Sequence, residues 1–226
     1  MEINYPTYFT RNDFIDFRDY LLEKNNNITL CKKGSYINSL PEYNKYIYFI
    51  LDGKAVDILM YKNGYEKILT THGENTIFPL YSPKNSPIER PLIFKALTDC
   101  HVISFTREEF SDLLQENKDL NNEMYISYLK HTKFLLYENL NHSMNNGITR
   151  ISLFLLSYLK QYKPKDNVVP FSQKHIGNVV GLNIINTSRN IKILKDMNII
   201  DTGRNKIIIL NKEKLASFYK SINSIV

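Results

Sequence analysis

The hydrophobic positions in the first half of the chain follow the pattern of short β-strands. Between residues 28 and 105, apolar runs rich in β-branched and aromatic residues alternate with turn signals, and one such run, Tyr46–Leu51, ends at Asp52–Gly53. Asn63–Gly64 is a second hairpin signal. Four prolines between residues 79 and 91 predict a loop. Many short strands with regular turns predict a β-sandwich or β-roll.

A helical pattern begins at Thr106, which stands three residues before Glu109 in the sequence of a capping box. Residues 118–145 contain no glycine or proline, which predicts one long helix. Five residues at alternating four- and three-residue spacing, three of them apolar, predict a seam with a partner helix: Leu120, Met124, Ser127, His131 and Phe134. An amphipathic helix packed on its own β domain is the alternative, and the sequence leaves both open.

Two short helices joined by a glycine turn follow a predicted hinge at Asn145–Gly147. Ser172 is a good N-cap for the first helix, which Gly181 ends, and the second helix covers 184–197. Gly177 is small enough to let the two helices cross closely. Two strands around a basic turn, within residues 199–210, then form a wing. The pattern predicts a winged helix-turn-helix.

One face of the second helix carries the candidate base-reading residues. Arg189 can contact guanine through both O6 and N7, and Ile184 and Ile185 can contact thymine methyl groups. Ser188 and Asn186 can bond base edges or phosphates, lysines and arginines can neutralise phosphates, and backbone amides near Ser172 can hold another. The candidate DNA-binding set is Ser172, Gln173, Lys174, Asn183, Ile184, Ile185, Asn186, Ser188, Arg189, Lys192, Lys195, Arg204 and Lys206. A winged helix that makes only protein contacts is the alternative.

The distribution of charge agrees with a polyanion partner. Residues 147–226 hold 13 of the 29 Lys and Arg but only 4 of the 23 Asp and Glu, so this third is strongly basic while the remainder is slightly acidic. Clustered cations favour binding to a phosphate backbone. A solvated, lysine-rich surface is the alternative interpretation.

Several classes of protein are not expected. Cys31 and Cys100 are too few to ligate an iron–sulfur cluster. The chain starts without a signal peptide pattern, and no apolar run reaches about 18 residues, so we predict a soluble cytoplasmic protein without a membrane partner. The five histidines are scattered, so we predict no metal site and no catalysis, with a cupin-like metal enzyme as a distant alternative.

From about Ile28 to Leu210 the order of parts resembles the cyclic-AMP receptor protein/FNR (Crp/Fnr) family. The resemblance is carried by Lys33–Ile37, Ile47–Val56, Ala96–Phe105, Thr149–Leu156 and Ser172–Ile200. It implies an α+β fold with a β-roll sensor domain (1–117) that is cyclic-nucleotide-binding-like, a double-stranded β-helix. A long dimerisation helix and hinge (118–146) and a winged helix-turn-helix DNA-binding domain (147–226) follow. It also implies a homodimer that regulates transcription from a pseudo-palindromic site on double-stranded DNA, with RNA polymerase as a further partner.

The departures from the family pattern bear on the effector. The family's cyclic-nucleotide binders carry Phe-Gly-Glu where this chain has Phe78-Pro79-Leu80, and proline offers no amide hydrogen to a phosphate. Arg90 matches the phosphate-binding arginine, but Leu135 and Leu136 replace polar residues that contact adenine. Cyclic AMP is therefore not expected. In the recognition helix, the usual Arg-Glu-Thr-Val-x-Arg becomes Ile-Ile-Asn-Thr-Ser-Arg, ending at Arg189.

The sequence leaves the effector open. Haem is one candidate, with ligands among His72, His101, His131 and His142. A thiol switch through Cys31 and Cys100 is a second, although two buried structural cysteines also fit the sequence. A third is an apolar small molecule in a pocket formed by Phe78, Tyr81, Arg90, Tyr128, His131, Leu135 and Leu136. A ligand-free, constitutively active protein is the remaining alternative.

Overall fold

The computed structural model describes residues 8–38, 45–62, 64–81 and 92–219. They belong to two compact units, a β unit comprising Phe9–Lys133 and a helical unit that begins at Phe134 and includes Tyr8. None of the described helices is both long enough and apolar enough to cross a membrane.

The β unit contains two four-stranded sheets, with the strand orders β1-β5-β4-β7 and β2-β8-β3-β6. Its strands are β1 (Phe9–Thr10), β2 (Thr29–Cys31), β3 (Tyr46–Asp52), β4 (Ala55–Met60), β5 (Glu66–His72), β6 (Ile77–Phe78), β7 (Leu92–Ala96) and β8 (Cys100–Thr106). Its helices are α1 (Arg18–Lys24), α2 (Arg107–Glu116) and the first part of α3 (Lys118–Met144). The predicted α+β class and β-roll are confirmed.

Strand β3 is buried on both faces, which explains its unbroken run of apolar residues. Tyr48 and Ile50 face a core that includes Phe94 from the other sheet. Ile47 and Phe49 point the opposite way, into a second core to which α1, α2 and the start of α3 contribute. Alternate residues of a strand point to opposite faces, so a strand between two cores is apolar at every position.

The start of α3 packs on the β unit. Leu120 and Met124 are 0% and 2% exposed and lie in the helix-side core with Phe110 and Leu113. Phe134 is also buried, with its ring 5.4 Å from that of Tyr8. The seam predicted at these three positions is therefore wrong, because their side chains are already covered within their own chain. Ser127 and His131, the other two predicted seam residues, are half-buried.

The helical unit continues from α3 through α4 (Gly147–Tyr162), α5 (Gln173–Val180), α6 (Ile184–Asp196) and α7 (Lys212–Ser217). A small sheet has the order β10-β11-β9, from β9 (Val168–Val169), β10 (Ile200–Gly203) and β11 (Lys206–Ile209). The predicted break between α3 and α4 is present, and Asn146 caps α4 by accepting the amide hydrogen of Thr149 at 3.1 Å. Helix α4 is buried along nearly its whole length.

Candidate nucleic-acid interface

Helices α5 and α6 cross at a position where only glycine fits. A Cβ atom on Gly177 would lie 2.6 Å from Oγ1 of Thr187 and 2.9 Å from the carbonyl oxygen of Leu182. Gly181 ends α5 with a φ of +67°, in the left-handed region that glycine adopts without steric cost. The sequence therefore specifies a tight turn, and the turn fixes the direction in which α6 leaves α5.

Each of the two helices starts at a side-chain cap. Ser172 accepts the amide hydrogen of His175 at 3.1 Å, and Asn183 accepts that of Asn186 at 2.8 Å. Because these two polar side chains are engaged with their own backbones, their contribution to a nucleic-acid surface is to position the helix ends.

Helix α6 has a buried face and an exposed face, as its periodicity predicts. Thr187, Ile191 and Leu194 are buried against the rest of the unit. The opposite face exposes Ile184, Ile185, Ser188, Arg189 and Lys192. Asn190 is half-buried and donates to the carbonyl oxygen of Asn186 at 2.7 Å, so this polar residue is accommodated within the helix. The predicted division of α6 into two faces is confirmed.

The remaining predicted residues differ in their exposure. Lys174, Asn183, Lys195, Arg204 and Lys206 are exposed, whereas Ser172, Gln173 and Asn186 are half-buried. Lys195 differs from the other cations because its Nζ lies 2.8 Å from Oδ1 of Asp201. This bond lowers the pKa of the Asp201 carboxyl and compensates part of the lysine charge.

The wing is a hairpin with basic residues at its tip. Strands β10 and β11 pair antiparallel with Gly203 opposite Lys206, which leaves Arg204 and Asn205 in the turn. Asn205 has a φ of +55°, a conformation that asparagine tolerates better than most residues. Strand β9, which pairs with β11 through Val169 and Ile207, completes the sheet. Its two residues are too short a run for the sequence pattern to reveal.

His175, in the first turn of α5, packs against an aromatic ring. The ring of His175 stacks on that of Phe171 with centroids 4.3 Å apart. Burial lowers the pKa of His175 to about 4, so the side chain is neutral at neutral pH. Its role is therefore packing, and it adds no charge to the basic surface.

Arg150 is a structural residue that the sequence interpretation missed. Its guanidinium contacts Nδ1 of His142 at 2.7 Å and donates to the carbonyl oxygen of Val180 at 3.1 Å. It thereby ties together the end of α3, the start of α4 and the end of α5. This role depends on the contact with Val180, which lies 30 residues further along the chain. A contact between such distant residues has no local sequence motif, so the sequence could not predict it.

The residues of the predicted effector pocket differ in their surroundings. Phe78 is 1% exposed and packs in the core between the sheets, stacked on His72 at 4.9 Å. Tyr81 and Tyr128 pack instead against the helix-side core. Leu135 and Leu136 are exposed, and Arg90 lies outside the described residues. Phe78 is thus a core residue of the β unit, and the pocket stays a prediction.

The four candidate haem ligands have protein partners. Nε2 of His72 lies 2.9 Å from Oδ1 of Asp57, off the direction of a good hydrogen bond, and Nδ1 lies 3.0 Å from Oγ1 of Thr10. His131 is close enough to Asp57 and His72 to interact with both, and its pKa is lowered, mainly by burial. His101 bonds Asp52 at 2.9 Å, and His142 bonds Arg150. Within the described parts of the chain, no three His, Cys, Asp or Glu side chains form a group that could hold a metal ion.

Comparisons with known proteins identify both halves of the chain. Residues 29–117 match the family model of the cyclic nucleotide-binding domain, and residues 149–218 match that of the Crp-like helix-turn-helix domain. A relative, the cAMP-activated global transcriptional regulator CRP of Escherichia coli O157:H7, is 22% identical over 167 residues, which are 72% of this chain and 80% of the relative.

Solved structures share the fold. FixK2 from Bradyrhizobium japonicum has a TM-score of 0.73 at 18% identity, covering 86% of this chain and 97% of its own. A CooA mutant from Carboxydothermus hydrogenoformans has a TM-score of 0.75 at 14% identity, covering 92% of this chain and 96% of its own. At such identities the likeness concerns the fold alone.

Proposed function

Because this chain belongs to the Crp/Fnr family of DNA-binding transcription regulators, we propose that it is a homodimer that reads a pseudo-palindromic duplex site through α6. The observation that carries the proposal is the exposed face of α6, on which Arg189 and Lys192 are accessible, in a unit that also exposes Lys174, Arg204 and Lys206. A positive helix of this kind fits the major groove, where Arg189 can pair with O6 and N7 of a guanine.

Phosphate contacts fix the position of such a unit on the duplex. Lys192 lies on the exposed face of α6, Lys174 is exposed in the first turn of α5, and Arg204 and Lys206 belong to the wing. Cations at two separate points along the backbone constrain the direction of a helix in the groove, whereas base contacts select the sequence. We assign these four residues to positioning and Arg189 to base reading.

An exposed apolar stripe along α3 supports the homodimer. Tyr125, Leu129, Leu136 and Leu140 are 62%, 43%, 64% and 42% exposed and follow one another at intervals of four, seven and four residues. At 3.6 residues per turn these positions lie within about 60° of one another around the helix. A stripe of this spacing is what a parallel partner helix covers. We propose this stripe, rather than the buried Leu120 and Met124, as the seam.

We further propose that the β unit regulates DNA binding without cyclic AMP. Pro79 has no amide hydrogen for a cyclic phosphate, and Leu80 cannot accept a hydrogen bond from a ribose. Phe78, at the start of the same segment, is packed in the core. Haem and an apolar small molecule stay as candidate effectors, and catalysis is not proposed.

The test is selection of binding sites from a random duplex library by the purified full-length chain. We expect enrichment of an inverted repeat whose half-sites are about one helical turn apart. Arg189→Ala should weaken binding by about 1–3 kcal/mol and relax preference at one base pair per half-site. Lys206→Ala, the matched control, should weaken binding to all sequences alike. Absence of any enriched site, or an unchanged base preference in Arg189→Ala, would contradict the proposal.

A further inference from the structure

The two cysteines of the chain stand directly opposite each other in neighbouring strands. Cys31 is the last residue of β2 and Cys100 the first of β8, and the antiparallel register pairs the two residues. Both side chains belong to the core between the sheets, so they point to the same face. Both are free thiols. Nearly 70 residues separate them in sequence, and no spacing rule predicts the pairing.

This arrangement suits a disulfide bond. Residues directly opposite on antiparallel strands have Cα atoms about 4.5–5.5 Å apart, within the range of about 4.4–6.8 Å that disulfides span. Formation of the bond therefore needs rotation of side chains and little movement of the backbone. Few cysteine pairs in a fold meet this condition by chance, since most are too far apart.

When Cys100 loses its thiol proton, the nearest carbonyl oxygen, that of Lys54, keeps a backbone hydrogen-bond donor. The single thiol hydrogen of Cys100 can donate to the carbonyl oxygen of Lys54 at 3.0 Å or to that of Thr98 at 3.3 Å. The Lys54 oxygen also accepts from the amide of Leu97 at 2.7 Å. Oxidation therefore leaves the tight turn before β4 with a backbone hydrogen bond in place.

The two thiols differ in their exposure to a reagent. Cys100 is 0% exposed, whereas Cys31 is 9% exposed and lies at the end of β2, a strand of three residues at the edge of its sheet. Its neighbours Leu30 and Lys32 are exposed. A short edge strand opens locally at low cost, so Cys31 is the thiol that a small reagent reaches first.

We propose that Cys31 and Cys100 are a redox-active pair, which a low-molecular-weight disulfide converts into an intramolecular disulfide linking β2 to β8. Cys31 loses its proton, and its thiolate attacks the reagent RSSR to form a mixed disulfide. The RS− that leaves takes up a proton and becomes the first RSH. Cys100 then loses its proton and attacks Sγ of Cys31, which forms the Cys31–Cys100 bond and releases the second RSH. Two protein thiols are oxidised by two electrons, and one RSSR is reduced to two RSH.

Burial sets the rate of this reaction. It raises the pKa of the Cys31 thiol, which the neighbouring Cys100 raises further, and it also raises the pKa of Cys100. Since the thiolate is the nucleophile, the pair reacts slowly with traces of oxidant and responds to a sustained change in the thiol pool. Neither cysteine belongs to the proposed DNA-binding surface, since both lie in the β unit.

The test equilibrates the full chain with graded ratios of reduced and oxidised glutathione. Acid quenching, unfolding, alkylation and mass spectrometry then count the free thiols. We expect two populations of the chain. In one, both thiols are alkylated; in the other, neither is alkylated and the chain has lost two hydrogen atoms. Proteolysis of the second population should give a pair of peptides joined by a disulfide between Cys31 and Cys100. The oxidised β unit should melt about 5 °C or more above the reduced one, because the bond closes a long loop.

Two variants test the order of attack. Cys100→Ser should trap glutathione on Cys31 as a mixed disulfide, whereas Cys31→Ser should leave the buried Cys100 reduced. Two alkylatable thiols at every glutathione ratio, or bonds formed only between different copies of the chain, would overturn the proposal. The peptide map of the unmodified chain decides the question even if a variant fails to fold.

Discussion

Ile185 offers a direct test of how α6 reads bases, because it occupies the position where the family's usual pattern has a glutamate. Its side chain is 68% exposed at the first turn of α6, next to Ile184, which is 55% exposed. The thymine methyl is the apolar group on the major-groove edge of a base pair. We predict that Ile185 contacts a thymine methyl in the selected site.

The size of the effect follows from this exposure. Complete burial of an isoleucine side chain stabilises by about 1.5–3 kcal/mol, so covering the exposed two-thirds contributes about 1–2 kcal/mol. Ile185→Ala should therefore raise Kd about 5- to 30-fold. Replacement of the contacted thymine by uracil removes one methyl group, which should cost about 0.8 kcal/mol, or about fourfold in Kd.

The assay is fluorescence anisotropy with the selected duplex and with duplexes that carry dU for dT at single positions. In a double-mutant cycle, Ile185→Ala should abolish the discrimination between dT and dU at one position per half-site. Ile193→Ala is the matched control, because Ile193 is an exposed isoleucine two turns further along α6, and it should leave that discrimination intact. Equal affinity of the unmodified protein for all dT and dU duplexes would refute the methyl contact while leaving sequence-specific binding standing.

Three further predictions concern packing, pH and assembly. Gly177→Ala should lower the free energy of unfolding of the helical unit by about 1–2 kcal/mol in urea, because the new methyl meets Thr187 Oγ1 and the loss exceeds the gain in helix propensity; a more stable variant would refute the close crossing. Burial lowers the pKa of His175 to about 4. Below about pH 6.5 the unfolded state therefore binds a proton at this histidine, whereas the folded state does not. The free energy of unfolding should fall by about 2 kcal/mol between pH 7 and pH 5. His175→Phe should flatten this dependence in urea titrations, and an equal slope in both proteins would exclude His175 as its source. Leu136→Glu should shift the chain toward monomer in light scattering, whereas Leu135→Glu, about 100° around the helix, should not; equal effects would argue against the stripe.

Local sequence signals predicted the helical elements well. The capping box is formed, with Glu109 accepting from the Thr106 amide at 2.7 Å and Thr106 accepting from the Glu109 amide at 3.1 Å. The two faces of α6 follow from its periodicity alone, because the buried positions recur every three or four residues. Such features depend on residues within a few positions of one another.

Features that depend on distant residues escaped the sequence interpretation. A helix packed on its own β unit and a helix packed on a partner have the same apolar spacing, so Leu120 and Met124 could not be assigned from the pattern. Phe78 is predicted to line a pocket because it matches the first residue of the family's Phe-Gly-Glu segment, yet the pairing of β6 with β3 puts its ring in the core. The facing of Cys31 and Cys100 likewise depends on strand register.

The ion pair between Lys195 and Asp201 has a consequence for the thermodynamics of complex formation. Binding of a cation to the DNA backbone releases condensed counterions, and the slope of log K against log salt is about −0.9 for each phosphate neutralised. If Asp201 already holds Lys195, each protomer brings Lys174, Lys192, Arg204 and Lys206 to the backbone. A dimer then has a slope of about −7 instead of about −9, and Asp201→Asn should restore the steeper value. One acidic residue beside the wing thus sets how strongly ionic strength weakens the complex.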